Sequence, residues 1–476
     1  MSWRAPRRMS CSDLTFPSSP MDPALLKQIY ELASKPSTPL PTQEWKVFLE
    51  LRGLIDRLVA AQKDGAKSKT HSPDYAQLVK WLHQHSVDTT AVEIHQTESE
   101  GYGLFATQDL EVGAEFLSVP RQVMISVDTA SAVLKGYIQR DPILQAIPSL
   151  SLALHVLVEA LNPKSVYKPY LDTLIDMPFT IPLYWEPRQV EALKGTSVFA
   201  EAIKLLKNTA RQYVHLYKLI EAAGRSFPIK LRDFTYERFR WSVSVVMTRQ
   251  NPVPSADGTR TCMALIPLFD LANHRPGEIT TFHELNTDCT HSLTLSACAK
   301  GDQVYMSYGG RSNQDFLLYS GFVDPSERKN DCIKIWCSIG KDEGDASNRA
   351  RKQLLERYGL PSAGFYRLKA TLSDSPELMA LVRVLTMSQV ELEEVGQQPP
   401  ETPTDLSQPV TDRNETAALE WLRNRCRIML MGLAPVDLAA DSPSNDDRIM
   451  QLAVAMRTLE REHLESVIAG IDAQGR

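Results

Sequence analysis

Apolar residues recur at three- and four-residue spacings in two runs near the start of the chain: Leu25, Leu26, Ile29, Tyr30 and Leu32, then Phe48, Leu51, Leu54, Ile55 and Leu58. That is the period of a helix with one buried face. Pro36, Pro39 and Pro41 separate the runs, so residues 21–90 read as an N-terminal helical region. From Ala91 the texture changes to short β-like runs, Ala91–His95, Glu115–Val119 and Val123–Val127, punctuated by Gly101, Gly103, Gly113 and Pro120, which predicts a hairpin-rich β unit. Helical periodicity returns in Leu150–Leu161, Phe199–Ala223 and Thr235–Met247 and predicts a helical insertion over about 128–248. Strand-like texture resumes in Thr280–Ser296 and Gln303–Ser307, the latter behind the turn Lys300-Gly301-Asp302. The predicted β domain, 91–322, is thus split in sequence. From Asp345 to 476 the pattern predicts helices alone. Ser375 stands where it would cap a helix with Pro376 at its first position, with Leu378, Leu381, Val382 and Leu385 on one face; Ile449, Leu452, Met456 and Leu459 form a second stripe. Gln397–Val410, with four prolines among polar residues, reads as a mobile loop.

Composition narrows the function classes. In 476 residues, 52 basic and 58 acidic side chains leave a formal charge of −6, so no global basic field draws the chain to nucleic acid or anionic lipid. Hydrophobic residues at 43% and charged residues at 23% are ordinary globular usage and argue against a disordered or fibrous protein. The longest apolar stretches fall short of the ~18 residues of a membrane span. Seven cysteines lie at unrelated spacings without a C-x-x-C pair, which predicts reduced thiols in a cytoplasmic setting, with the nucleus as alternative, and no metal site. Residues 1–20 carry Arg4, Arg7 and Arg8 among serines and prolines with no apolar h-region, and read as an unstructured tail.

Three short segments carry the candidate chemistry: Glu100-Gly101-Tyr102-Gly103-Leu104, then Asp270-Leu271-Ala272-Asn273-His274, then Ser307-Tyr308-Gly309-Gly310-Arg311-Ser312-Asn313. Singly each reads as a turn or a loop. In this order and spacing the set resembles the SET-domain protein methyltransferases, in the split subclass with a helical insertion and a C-terminal domain similar to the substrate-binding domain of the Rubisco large-subunit lysine methyltransferase. Within that subclass it is most similar to the actin-histidine N-methyltransferases, through Asn208–Tyr213, Val246–Asn251, Ala264–Leu268, Arg311–Asn313 and Ser320–Phe322. The likeness is dense over about 44–322 and general beyond it.

The resemblance implies an α+β fold, small SET sheets with a pseudoknot plus an all-α C-terminal domain, and methyl transfer from S-adenosylmethionine to a protein side chain without a metal. By position the family's cofactor contacts fall on Glu100, Tyr102, Arg249, Asp270, Asn273, His274, Ser320 and Phe322. Their types suit it: glycine turns admit backbone approach, acids and amides hold a ribose or amino group, and an arginine meets a carboxylate. Tyr308 matches the tyrosine beside the transferred methyl, and Asn251 an asparagine that hydrogen-bonds the far nitrogen of an imidazole. A histidine with pKa near ~6.5 is mostly neutral at pH 7, whereas freeing a lysine lone pair at ~10.4 costs about 4.6 kcal/mol, so an imidazole acceptor needs orientation more than a base. The implied product is a histidine of actin methylated at its tele nitrogen. Arg211, Gln212 and Arg311 match peptide-groove positions. The histidine-specific branch carries tryptophan before the aspartate where this chain has Phe269, a smaller flat wall without an indole donor. A family arginine ahead of the β unit aligns with His71, near Lys69. Two rival readings stay open: the same chemistry on lysine, favoured by Phe269 and opposed by Asn251, and a catalytically silent SET adaptor.

Overall fold

The computed structural model describes residues 21–37, 40–62, 72–340, 345–399, 404–433 and 448–474. The 1–20 tail, His71 and Lys69 lie outside the described residues. The N-terminal helices are Pro23–Ala33 and Pro41–Gln62, with Asp22 accepting the Ala24 N–H at 2.9 Å and proline opening each helix, where its missing donor costs nothing.

Twelve strands follow in four small sheets among the described residues: β1 Val92–Gln96, β2 Tyr102–Ala106, β3 Glu115–Pro120, β4 Ile125–Ser126, β5 Asn251–Pro254, β6 Thr261–Leu265, β7 Asn273–His274, β8 Thr281–Glu284, β9 Cys289–Leu293, β10 Gln303–Met306, β11 Cys332–Ser338 and β12 Ala363–Lys369. Their orders are β1-β2-β10-β7, β3-β9-β8, β4-β6-β5 and β11-β12. The Val123–Val127 run shrinks to the two-residue β4 between 3₁₀ turns.

Between β4 and β5 the chain is helical. The longest of these helices, Ser197–Ala223, buries Phe199, Ala202, Ile203, Leu206, Ala210, Tyr213, Tyr217 and Ile220 at three- and four-residue spacings and stops at Gly224, whose φ is +55°. It packs with the N-terminal helices into one apolar core; the small sheets share a second with the helix Pro148–Ala160.

The region beyond 345 is not all helix. β12 pairs antiparallel with β11, Tyr366 opposite Ile335, and both strands alternate buried with outward positions. Ser375 precedes the helix Pro376–Thr386 but makes no cap, because its hydroxyl accepts from the Lys369 N–H at 2.9 Å and donates to the Thr371 carbonyl. In the proline-rich stretch the described part is fastened: Leu406 is buried and its carbonyl accepts from Arg383 at 2.9 Å. The helix Arg448–Gln474 enters two cores, Met450, Ala453 and Met456 packing with the insertion, and Leu464, Val467 and Ile471 with the C-terminal cluster.

Candidate functional site

One sheet brings the three sequence segments together. β10 lies antiparallel to β2, Val304 opposite Leu104, and parallel to β7, with Tyr305 opposite Asn273 and Met306 opposite His274. Gly103 is required by that approach, since a Cβ there would lie 2.2 Å from Gln303 Oε1 and 3.0 Å from Asn273 Nδ2. Asn273 Nδ2 donates to Gln303 Oε1 at 2.7 Å and to the Tyr102 carbonyl at 3.3 Å. The Glu100 carboxylate is engaged by its own chain, accepting from Arg275 and Gln303, each at 2.9 Å, and from the Tyr305 hydroxyl at 3.3 Å.

His274 sits among aromatic rings, 4.7 Å from Phe316, 5.1 Å from Tyr308 and 5.8 Å from Phe322 between centroids. The Tyr308 N–H donates to its Nδ1 at 3.1 Å, so the neutral ring carries its proton on Nε2, which is buried without a partner. Burial lowers the His274 pKa and keeps the ring neutral. Ser320 accepts from Arg311 at 3.4 Å, and Phe322 stacks on Phe316 at 4.8 Å.

A cleft of about 340 Å³ adjoins this cluster. Leu268, in the left-handed region at φ +67°, reverses the chain after β6 and is followed by the 3₁₀ turn Phe269–Leu271. The helix Tyr236–Arg249 ends at the cleft and hands over to β5 at Asn251. Arg249, Asn251, Phe269, Asp270, Tyr308 and Arg311 all line it. The Arg249 guanidinium donates to the Asp270 carbonyl at 2.5 Å and lies 3.4 Å from its Oδ2, which also accepts from the Tyr170 hydroxyl at 2.5 Å. Arg249 Nε and Asp270 Oδ1 are both buried and unpartnered. Burial raises the Asp270 pKa above the ordinary carboxylate value, although Arg249 and Tyr170 pull it down. The Tyr308 hydroxyl donates to the Ala272 carbonyl at 2.9 Å, and burial pushes it up to about 12, so it stays a phenol at neutral pH. Asn251 Nδ2 donates to the Arg249 carbonyl at 3.0 Å.

The predicted residues therefore fall into two adjoining groups, the cleft wall and the His274 cluster, joined by the Tyr308–His274 bond. Arg211 and Gln212 are not among the cleft residues; Arg211 is exposed on the Ser197–Ala223 helix and donates to Asn208 at 3.1 Å. Sequence reasoning missed Tyr170, Met177, whose sulfur accepts from Arg249 at 2.6 Å, and Tyr75, whose ring lies 4.6 Å from that of Tyr102. No local pattern marks them, because only the fold brings the insertion and the helix Tyr75–Gln84 to this point.

A family model described as Rubisco LSMT substrate-binding matches residues 342–464. The actin-histidine N-methyltransferase of Mus musculus is 33% identical over 464 residues, covering 93% of this chain and 77% of that protein. That of Danio rerio is 32% identical over 467 residues, covering 94% and 76%. The Gallus gallus protein of the same name is 36% identical over 380 residues, which are 78% of this chain and 62% of that one. Among solved structures, the SET domain of LSMT bound to lysine and AdoHcy superposes with a TM-score of 0.68 at 21% identity, over 85% of this chain and 92% of that one. Rubisco LSMT bound to AdoMet superposes with the same score, identity and coverage. That likeness shows the fold: small SET sheets with helical regions.

Proposed function

The chain belongs to the actin-histidine N-methyltransferase family, and from that premise we propose that it transfers a methyl group from S-adenosylmethionine to the tele nitrogen of a histidine in actin. The observation that carries the reading is that the Asn251 amide and the Tyr308 phenol line one cleft beside the buried Arg249–Asp270 pair.

The donor set suits the cofactor. Arg249 Nε and Asp270 Oδ1, a cationic donor and an anionic acceptor, are both buried and unpartnered, as a zwitterionic amino-acid end requires. Tyr102, Asn273, His274, Ser320 and Phe322 would hold the remainder, and Glu100 would shape the turn, its carboxylate being engaged elsewhere. When bound, S-adenosylmethionine supplies an electrophilic methyl group on a sulfonium centre.

The chain's own residues supply orientation. The bond from Asn251 Nδ2 to the Arg249 carbonyl fixes which way the amide faces and leaves Oδ1 to accept the N–H of the pros nitrogen, the one far from the transferred methyl. An imidazole held that way keeps its lone pair on the opposite nitrogen, the one to be methylated. Phe269 offers the ring a flat wall. Tyr308, tied to the Ala272 carbonyl and still protonated, acts by position and dipole rather than as a base. Arg211, Gln212 and Arg311 would contact the protein substrate, with 91–322 carrying the chemistry and 345–476 placing the substrate, in the cytoplasm.

The test is incubation of the purified protein with labelled S-adenosylmethionine and actin lacking the mark, followed by mass spectrometry of the modified peptide. A lysine adduct without a histidine adduct overturns the acceptor. Failure to bind the cofactor in isothermal titration favours the silent adaptor.

A further inference from the structure

The cleft takes its lining from two separate sheets: Asn251 and Val253 belong to β5, while Thr281, His283 and Thr290 belong to β8 and β9. Each of β5 and β8 is the edge strand of its own sheet, so neither pairs with the other and the ladders leave their separation unset. One side chain spans the gap. Arg121, in the 3₁₀ turn Arg121–Val123 and only 7% exposed, donates through Nη1 to the Pro254 carbonyl at the end of β5, at 2.8 Å. Through Nη2 it reaches His283 Nε2 on β8 at 3.0 Å, and through Nε the Asp288 carboxylate in the β8–β9 turn at 2.7 Å. Its backbone N–H grips the same turn, donating to the Asp288 carbonyl at 2.9 Å.

We propose that Arg121 is a positioning residue that sets the spacing between the β5 and β8 lips of the acceptor cleft. The inference rests on the reading of that cleft as the protein-substrate site. An ion pair with the half-exposed Asp288 alone would contribute little. The planar fork does more, because three nitrogens held in fixed geometry reach two sheets and a turn at once, which a lysine ammonium on a flexible stem does not reproduce. The chain of bonds also enters the cleft. His283 Nε2 lies 3.0 Å from Arg121 Nη2 and 3.2 Å from the Asp288 carboxylate, and its Nδ1 pairs with the cleft hydroxyl of Thr290 at 3.0 Å. Arg121 thereby orients a polar group on one lip while fixing the far end of the strand that presents Asn251 on the other.

The experiment compares wild type, Arg121→Gln and Arg121→Lys in steady-state methylation of unmodified actin, with the cofactor Kd from titration calorimetry and Tm as controls. Arg121→Gln should raise the KM for actin about tenfold, the size of one lost charge-assisted hydrogen bond, with kcat and the cofactor Kd within about twofold; Arg121→Lys should not restore it. An unchanged KM overturns the proposal, and so does a parallel loss of kcat, cofactor affinity and Tm, which is the mark of a merely structural residue. If Arg121→Gln does not fold, His283→Phe removes one arm of the strap, and an unchanged KM there overturns it equally. If wild type leaves actin unmodified, the acceptor reading fails by itself. Hydrogen exchange then decides the strap: β5 and β8 amides that exchange no faster in Arg121→Gln refute it.

Discussion

Replacing Tyr170 with phenylalanine keeps a ring in a site where it is almost wholly buried and removes one hydroxyl. That hydroxyl donates to Asp270 Oδ2 at 2.5 Å, and the other carboxylate oxygen has no partner. Burial already lifts the Asp270 pKa, with Arg249 and the Tyr170 bond working against it. A hydrogen bond to a charged group contributes about 1.5–3 kcal/mol, so its loss should raise the Asp270 pKa by a further ~1 to 2 units. The sign follows from linkage. A carboxyl whose folded pKa lies above its unfolded value stabilises the fold below the ordinary carboxylate range and loses that contribution as pH rises through the folded pKa; Tyr170→Phe extends the loss to higher pH. In the proposed site the cofactor's ammonium needs the ionised form. The acid limb of cofactor affinity against pH should therefore move up by ~1 to 2 pH units in Tyr170→Phe, while well above that limb the Kd changes by less than about threefold. Titration calorimetry across about pH 5 to 8 reads this directly. Coincident acid limbs, or a uniform loss at every pH accompanied by a lower Tm, would refute the account.

Tyr308→Phe frees the Ala272 carbonyl and unfastens the ring; single-turnover methylation should slow by about a hundredfold with the cofactor Kd within about threefold, and an unchanged rate removes Tyr308 from the reaction. Gly321→Ala puts a Cβ 2.4 Å from Thr180 Oγ1 and 3.1 Å from the Ile181 backbone nitrogen at φ +79°, which should cost about 2 kcal/mol or more in chemical denaturation; a neutral result contradicts the packing between Ser320 and Phe322. Glu460, whose pKa burial raises to about 7 despite two bonds from Ser197, stabilises the fold below its unfolded pKa and loses that as pH rises toward 7. Glu460→Gln should flatten the stability difference between about pH 5 and 8 by on the order of 3 kcal/mol, and denaturation at both values that shows the wild-type slope intact rules this out.

Long-period features were legible in the chain. The spacing from Phe199 to Ile220 is the buried stripe of the helix Ser197–Ala223, and Gln303–Met306 forms the strand expected behind its turn. The structure departs from the expected pattern where two periodicities compete over a short span. Ile333, Ile335 and Cys337 alternate inward on β11, as Tyr366 and Leu368 do on β12, yet each run is seven residues between helices and its pairing is non-local. Ser375 shows the limit of cap signatures, since a serine before a proline has other backbone groups in reach and here takes them. Arg249, Asn251, Asp270 and Tyr308, which line the cleft, stand in short motifs that mark them as candidates. Tyr170 lies 100 positions from the carboxylate it holds, and no periodicity encodes such a contact.

The same non-locality bears on how the protein substrate would be held. The Ser197–Ala223 helix, which carries Arg211 and Gln212, has no side-chain cap from Thr196. Its first N–H is taken instead by Glu460, at 3.0 and 3.1 Å, and the Ser197 hydroxyl donates to the same carboxylate at 2.5 Å. A carboxylate at a helix N-terminus meets both the open N–H groups and the positive end of the dipole. Glu460 sits on Arg448–Gln474 between the turns that enter the insertion core and those that enter the C-terminal core, and it also accepts from Gln314 at 3.3 Å, in the short helix behind the Tyr308 turn. One buried carboxylate thus touches the helix proposed to meet the substrate, the segment following the proposed reaction centre, and the C-terminal domain. A displacement of that domain would have to disturb either this cap or the packing on both sides of it, which ties the last helix to both segments at once.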